Sequence, residues 1–113
     1  MKKIEASIRP EKLENVRMAL QEVGYPGMMI TTIEGHGKEK GVIRLWRGKE
    51  YRVELLPRKK IEIVVDDIDV EKIIKAIVES AQTGELGAGK IFIYNVEDAV
   101  RVHTGERGKD AIG

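Results

Sequence analysis

Apolar residues in this chain recur with two different periods, and the order in which those periods alternate restricts the fold more than any other feature. Lys3 to Ile8 alternates, with Ile4, Ala6 and Ile8 on one side and Lys3, Glu5 and Ser7 on the other, which predicts a half-buried strand. Pro10 suits a first helical turn, where its missing N–H costs nothing. Leu13, Val16, Leu20 and Val23 follow at helical spacing, and Gly24 is placed to end the helix. Met28 to Glu34, rich in Ile and Thr, predicts a second strand, and Lys60 to Val65, alternating around Ile61, Ile63 and Val65, a third. Asp69 is placed to cap a second helix with Ile73, Ile74, Ile77, Val78 and Ala81 on its buried side, ending near Thr83 and Gly84. Lys90 to Val96 predicts the fourth strand.

The order is β-α-β-β-α-β, that of the split βαβ or ferredoxin-like α+β sandwich, with two helices on one face of an antiparallel sheet. Two segments are surplus to it. Between strands two and three lies Gly37 to Leu55, about nineteen residues where a hairpin loop uses roughly two to five. It mixes Gly37, Gly41 and Gly48 with many charges and holds Trp46 and Tyr51. Long connections in compact domains are functional or disordered, and a solvated hairpin is the plainer alternative. The second surplus, after Ala99, is too polar to pack alone, and a frayed terminus is the default expectation. The sheet face that the helices leave bare carries apolar residues such as Val64, which suggests a subunit contact and a closed homo-oligomer.

At 113 residues the chain has room for one core and not for two. Its 20 basic and 19 acidic residues give a net charge of +1, so no global field draws it to nucleic acid or anionic lipid. Cysteine is absent, which removes disulfides, thiolate catalysis and thiolate metal sites together. His36 and His103 are too few and too far apart to suggest a metal centre. Met-Lys-Lys is followed by no apolar signal region, and the apolar runs are too short to span a bilayer, so the cytoplasm is the expected compartment.

Residues Thr83 to Phe92 read Thr-Gly-Glu-Leu-Gly-Ala-Gly-Lys-Ile-Phe. Glycines let several amide N–H groups converge on one anion, and Lys90 adds a mobile positive charge. The stretch is not a Walker A loop, because Ile91 stands where Ser or Thr is required. A plain turn into a strand fits it as well. An enzyme would need an activated nucleophile or an acid–base pair, and none stands out. RNA-recognition domains share the element order, yet Phe92 and Tyr94 lack the surrounding RNP motif.

Several stretches together resemble the P-II nitrogen-regulatory signal proteins, from Met1 to about Ile112. They are Lys-Lys-Ile-Glu-Ala near the start, Trp-Arg-Gly-Lys-Glu-Tyr at 46–51 and Lys-Ile-Glu-Ile-Val-Val at 60–65. To these add Ala-Gln-Thr-Gly-Glu-Leu-Gly-Ala-Gly-Lys-Ile-Phe at 81–92 and Arg-Val-His-Thr-Gly-Glu at 101–106. The resemblance implies a single domain over 1–113, with a T-loop at about 37–55, a B-loop at about 82–90 and a C-terminal loop at about 101–113. It implies a homotrimer binding ATP or ADP in inter-subunit clefts, where Mg-ATP creates a site for 2-oxoglutarate at the base of the T-loop. That loop would dock onto an ammonium transporter or a nitrogen-assimilation enzyme, with no reaction catalysed, no nucleic acid bound and no insertion into the membrane. Carried over by position, Gly87, Ala88, Gly89 and Lys90 would hold phosphates, with Arg101 and His103 reaching in from the tail. Gly35, Gly37 and Lys38 would approach the nucleotide, and Glu62 and Val64 would line its adenosine side. Glu62 could equally be the polar side of its strand, and Lys38 a solvated loop charge. Arg47 matches the residue that probes a transporter pore, and Tyr51 the position uridylylated in some members.

Five departures from the family pattern cluster at the implied ligand site. Glu39 replaces the usual Gln that helps ligate Mg; a carboxylate ligates Mg well but adds negative charge beside a triphosphate. Arg58 replaces the Lys that pairs with 2-oxoglutarate, and its planar fork will not occupy the same point. Ala88 replaces an acidic residue, His103 an arginine and Met29 a threonine facing the adenine. Two readings stand: tolerated variation in an ordinary sensor, or a protein retuned so that 2-oxoglutarate is weakened, lost or replaced. A trimeric ferredoxin-like protein of structural or CutA-like metal-tolerance type, with a degenerate nucleotide site, is the alternative; the CutA type lacks this glycine loop and tail.

Overall fold

The computed structural model describes residues 1–25, 27–35, 42–46, 49–53 and 56–113, and for 35, 42–46 and 49–53 the backbone alone. Strand β1 (Lys2–Ile8) leads through a 3-10 turn (Pro10–Lys12) into helix α1 (Leu13–Glu22), and β2 (Met29–Gly35) follows. Then come β3 (Val42–Trp46), β4 (Lys49–Val53) and β5 (Leu56–Val65), a 3-10 turn (Asp67–Asp69), α2 (Val70–Ala81), β6 (Gly89–Asn95) and a 3-10 turn (Gly108–Ala111). The main sheet has the order β2-β5-β1-β6 and all its pairings are antiparallel. This is the ferredoxin-like α+β sandwich. Strands β3 and β4 form a separate two-stranded ladder from Val42–Val53 to Trp46–Lys49, so the long surplus segment carries a hairpin of its own.

Alternation along the strands builds the core. Ile4 lies between Ile63 and Ile93 in register, and Ala6 between Ile61 and Ile91, so one sheet face is aliphatic from strand to strand. Val16 and Leu20 of α1, and Ile73, Ile77 and Ala81 of α2, close over that face and are buried with it. Burying each large aliphatic side chain stabilises the fold by about 1.5–3 kcal/mol. Gly24 ends α1 as its position suggests, at φ 93. The Gly24 N–H donates to the Gln21 carbonyl at 3.1 Å and the Tyr25 N–H to that of Leu20 at 2.9 Å, a Schellman closure of the last turn.

Four expectations need correction. Val78 is 42% exposed rather than buried, because α2 turns only its Ile73–Ile77–Ala81 stripe onto the sheet. Asp69 precedes α2 but makes no capping hydrogen bond; its carboxylate accepts from the Tyr25 hydroxyl and pairs with Lys72 at 3.2 Å. The bare sheet face is not broadly apolar, since its centre is a charge cluster. There Lys3 lies 3.4 Å from Glu62 and 3.9 Å from Glu5, Lys60 lies 3.4 Å from Glu62, and Lys3 sits 4.6 Å over the Tyr94 ring. Apolar exposure on that face falls at its flanks, on Phe92 and Tyr94 of the edge strand β6 and Met29 of β2, while Ile93 is half exposed on the opposite face. The tail is not frayed, as its contacts below make plain.

Candidate functional site

The segment from Gln82 to Ala88 joins α2 to β6, and its shape follows from glycine. Gly84, Gly87 and Gly89 have φ of 75°, 87° and 130°, a region that side chains disfavour. At Gly89 there is a second reason: a Cβ there would stand 1.9 Å from the Ser7 carbonyl oxygen, so strand β6 can meet β1 only without a side chain. The Thr83 hydroxyl accepts from the Glu85 N–H at 3.3 Å and tightens the first bend. Lys90 is exposed at the start of β6, opposite Ser7.

Arginines from elsewhere grip the loop. Arg9, directly after β1, donates from Nε to the Gly87 carbonyl at 3.1 Å and from Nη2 to the Leu86 carbonyl at 3.0 Å. Arg58 of β5 donates from Nη2 to the Gly87 carbonyl at 3.4 Å and from Nη1 to the Pro57 carbonyl at 3.2 Å. Arg58 is the one buried charged side chain among the described residues, 8% exposed. Burial first, and then the nearby positive charge of Arg9, lower its pKa below the ordinary arginine value. Arg9 escaped the sequence reading. The only signal for it was its place at the end of β1, next to the Ile8–Gly89 pair that the strand order brings together.

Glu62 and Val64 line a groove of about 930 Å³ toward the end of β5 away from Arg58, with apolar walls at Met28, Met29 and Ile112 and polar groups at Tyr25, Asp66 and Lys109. Burial raises the Glu62 pKa, but hydrogen bonds from Lys3 and Lys60 outweigh it and hold the carboxyl below the usual range. Ala88, Gly89 and Lys90 border a different cavity of about 330 Å³, beside Ser7, Val78 and Ile93. Within one chain the two halves of the sequence-predicted site are therefore apart.

The tail folds on itself. The Asp98 carboxylate accepts from the Ala99 N–H at 2.8 Å, the Gly108 N–H at 3.1 Å and Arg107 Nε at 2.8 Å. Lys109 meets Asp66 at 2.7 Å. Arg101 does not reach the glycine loop of its own chain; it pairs with Glu106 at 3.3 Å and donates to the Asp110 and Gly113 carbonyls at 3.0 and 2.9 Å. His103 stands exposed. Gly35 ends β2 opposite Leu56, and Tyr51 pairs in register with Arg44 in the β3–β4 ladder. Gly37, Lys38, Glu39 and Arg47 lie outside the described residues. Among the described residues no cluster of His, Cys, Asp and Glu could hold a metal ion.

Comparison with known proteins bears on what this arrangement serves. A family model for nitrogen regulatory protein P-II matches residues 1–106. Over 112 residues the chain is 53% identical to nitrogen regulatory protein P-II 2 of Methanothermobacter thermautotrophicus, covering 99% of this chain and 97% of that one. It is 54% identical to nitrogen regulatory protein P-II of Haemophilus influenzae and 55% identical to that of Bradyrhizobium diazoefficiens, in each case covering 99% of this chain and 100% of the relative. The ferredoxin-like fold, the glycine loop and this full-length similarity agree, and the chain belongs to the nitrogen regulatory protein P-II family.

Proposed function

We propose that this chain is a nitrogen-regulatory signal-transduction protein that binds ATP or ADP in clefts between the subunits of a homotrimer. The observation that carries the reading is the division of the site. Glu62 and Val64 line one groove, while Ala88, Gly89 and Lys90 border another. A nucleotide needs an apolar pocket for its base and anion donors for its phosphates, so a second subunit has to bring loop to groove. The exposed Phe92, Ile93 and Tyr94 of β6 offer contact surface for that subunit. In an assembled cleft, Gly87, Ala88, Gly89, Lys90, Arg101 and His103 would hold the phosphates, and Gly35, Gly37 and Lys38 would approach the nucleotide.

Residues 1–113 act as one domain, with 37–55 as the T-loop that engages a partner, 82–90 as the B-loop and 101–113 as the C-terminal loop. The partner is an ammonium transporter or a nitrogen-assimilation enzyme, contacted through Arg47 and through Tyr51, which is also the candidate for modification. The protein works in the cytoplasm and reaches the membrane through a partner; no helix among the described residues is long and apolar enough to cross one. It regulates rather than catalyses. Phosphate release from ATP no faster than in a Lys90→Ala control is the expected result.

With Mg-ATP bound, Glu39 would ligate the metal and Arg58 would face 2-oxoglutarate. Arg58 already donates to the Gly87 and Pro57 carbonyls, and turning it to a dicarboxylate sacrifices those contacts. The second effector is accordingly bound weakly or exchanged. Calorimetric titration of ATP and ADP, with and without Mg, then of 2-oxoglutarate into the Mg-ATP complex, tests both parts. No nucleotide binding sinks the functional reading; tight 2-oxoglutarate binding leaves that reading standing and removes the retuning.

A further inference from the structure

We propose that Arg9 is a positioning residue for the glycine loop: by holding the Leu86 and Gly87 carbonyls to one side, it aims the amide N–H groups of Gly87 and Ala88 to the other, as an anion cradle. The purpose rests on the nucleotide-binding reading; the geometry does not.

The peptide bonds among the described residues are trans, so each C=O in the loop points opposite to the N–H of the same peptide. The Leu86 carbonyl shares its peptide with the Gly87 N–H, and the Gly87 carbonyl with the Ala88 N–H. One guanidinium reaches both carbonyls, at 3.0 and 3.1 Å, so both oxygens lie on its side and both N–H groups face away. Gly87 between them has φ 87°, a conformation in which successive N–H groups can form a concave anion site. Arg58 adds a second donor to Gly87 from a buried position. Gathering two guanidiniums here is unfavourable by burial and by mutual repulsion, and the loop carbonyls help to offset that cost. Arg9 is fixed in turn by its place between β1 and Pro10, with Ile8 paired to Gly89. The rigid fork matters more than the charge, because a lysine is a single point that cannot bond both carbonyls in fixed directions.

The test uses the full chain and two variants, Arg9→Met and Arg9→Lys. In ligand-free protein, Arg9→Met lowers the backbone order parameters of Gly87 and Ala88 from about 0.85 to below about 0.6, while those of Val16 and Ile77 stay. Its affinity for ATP falls about tenfold while that for adenosine is unchanged, because only phosphates use the cradle. Arg9→Lys recovers less than half of the ATP loss. Equal weakening of ATP and adenosine, full rescue by lysine, or unaltered order at Gly87 and Ala88 would each overturn the proposal. If the unsubstituted protein binds no ATP, the nucleotide reading fails alone, and the order parameters still decide whether Arg9 positions the loop. Should Arg9→Met not fold, the loop order of Arg9→Lys decides in its place.

Discussion

The glycine loop and the C-terminal tail are both irregular, polar and rich in glycine, yet they are held in opposite ways. The loop is fixed by backbone: three left-handed glycines, a strand that tolerates no Cβ against Ser7, and carbonyls captured by arginines from β1 and β5. The tail is fixed by charge, with Asp98, Lys109 and Arg101 each carrying contacts that bend the chain onto itself. Steric fixation is insensitive to solution conditions and intolerant of substitution. Ionic fixation is the reverse.

The largest effect that would test this contrast comes from Gly89→Ala. The new Cβ would meet the Ser7 carbonyl at 1.9 Å at a φ of 130°, so β6 has to move off β1. We expect a loss of about 3 kcal/mol or more in urea unfolding, with an unchanged slope. A loss below about 1 kcal/mol would mean that the loop is not sterically locked. Gly84→Ala sharpens the point: its φ is 75° but nothing lies within 4 Å of the added carbon, so only backbone strain remains, about 1 kcal/mol. If both glycines cost the same, the close approach to Ser7 contributes nothing.

Asp98→Ala comes next and acts locally. It removes the acceptor of Arg107 and of the Ala99 and Gly108 amides. The Gly108 amide should exchange many times faster, with the thermal midpoint of the core almost unmoved, since Ile4, Leu20 and Ile77 are untouched. A cooperative loss of core protection would show that the tail is part of the core and not a surface fold.

How much of this was legible in the sequence follows the same division. Alternation in β1 and β5 and the helical period of α1 and α2 gave the sandwich, because each pattern is local and one face of each element is buried. The three glycines of the loop were legible for the same reason. Arg9 was not, since its partners lie 77 and 78 residues away and meet it only once the strand order is known. The tail was misjudged because its anchors are polar pairs, Asp98 with Arg107 and Lys109 with Asp66, which leave no apolar period to read. The bare sheet face was expected to be apolar from residues such as Val64, but its register neighbour Lys3 and the Glu5–Glu62 pair put charge at its centre, where a reading strand by strand does not show it. Glu62 and Val64 border one cavity and Ala88, Gly89 and Lys90 another, a separation that no local spacing in the sequence records.

Acid should separate the two regions with the smallest perturbation. The Asp98 carboxyl is held below its ordinary pKa, first by the Arg107 guanidinium and then by the Ala99 N–H, and that of Asp66 first by Lys109. Depressed carboxyls contribute stability that is fully present above the unfolded value of about 3.9 and is lost as pH falls through the lower folded value. Lys109 is raised, chiefly by Asp66, so its share is present below about 10.4 and disappears only as pH rises beyond that. The tail should thus stay docked across neutral pH and let go below about pH 4. The hydrogen bonds that grip the loop join guanidiniums to carbonyls, and the Glu11 carboxylate acts on Arg58 only as a nearby charge, the smallest of the influences on it. In a pH titration followed by amide resonances, Gly105 and Gly108 should move before Gly87 and Ala88. Simultaneous movement of all four while the core is still folded would mean that loop and tail are one cooperative unit, and the contrast between them would be wrong.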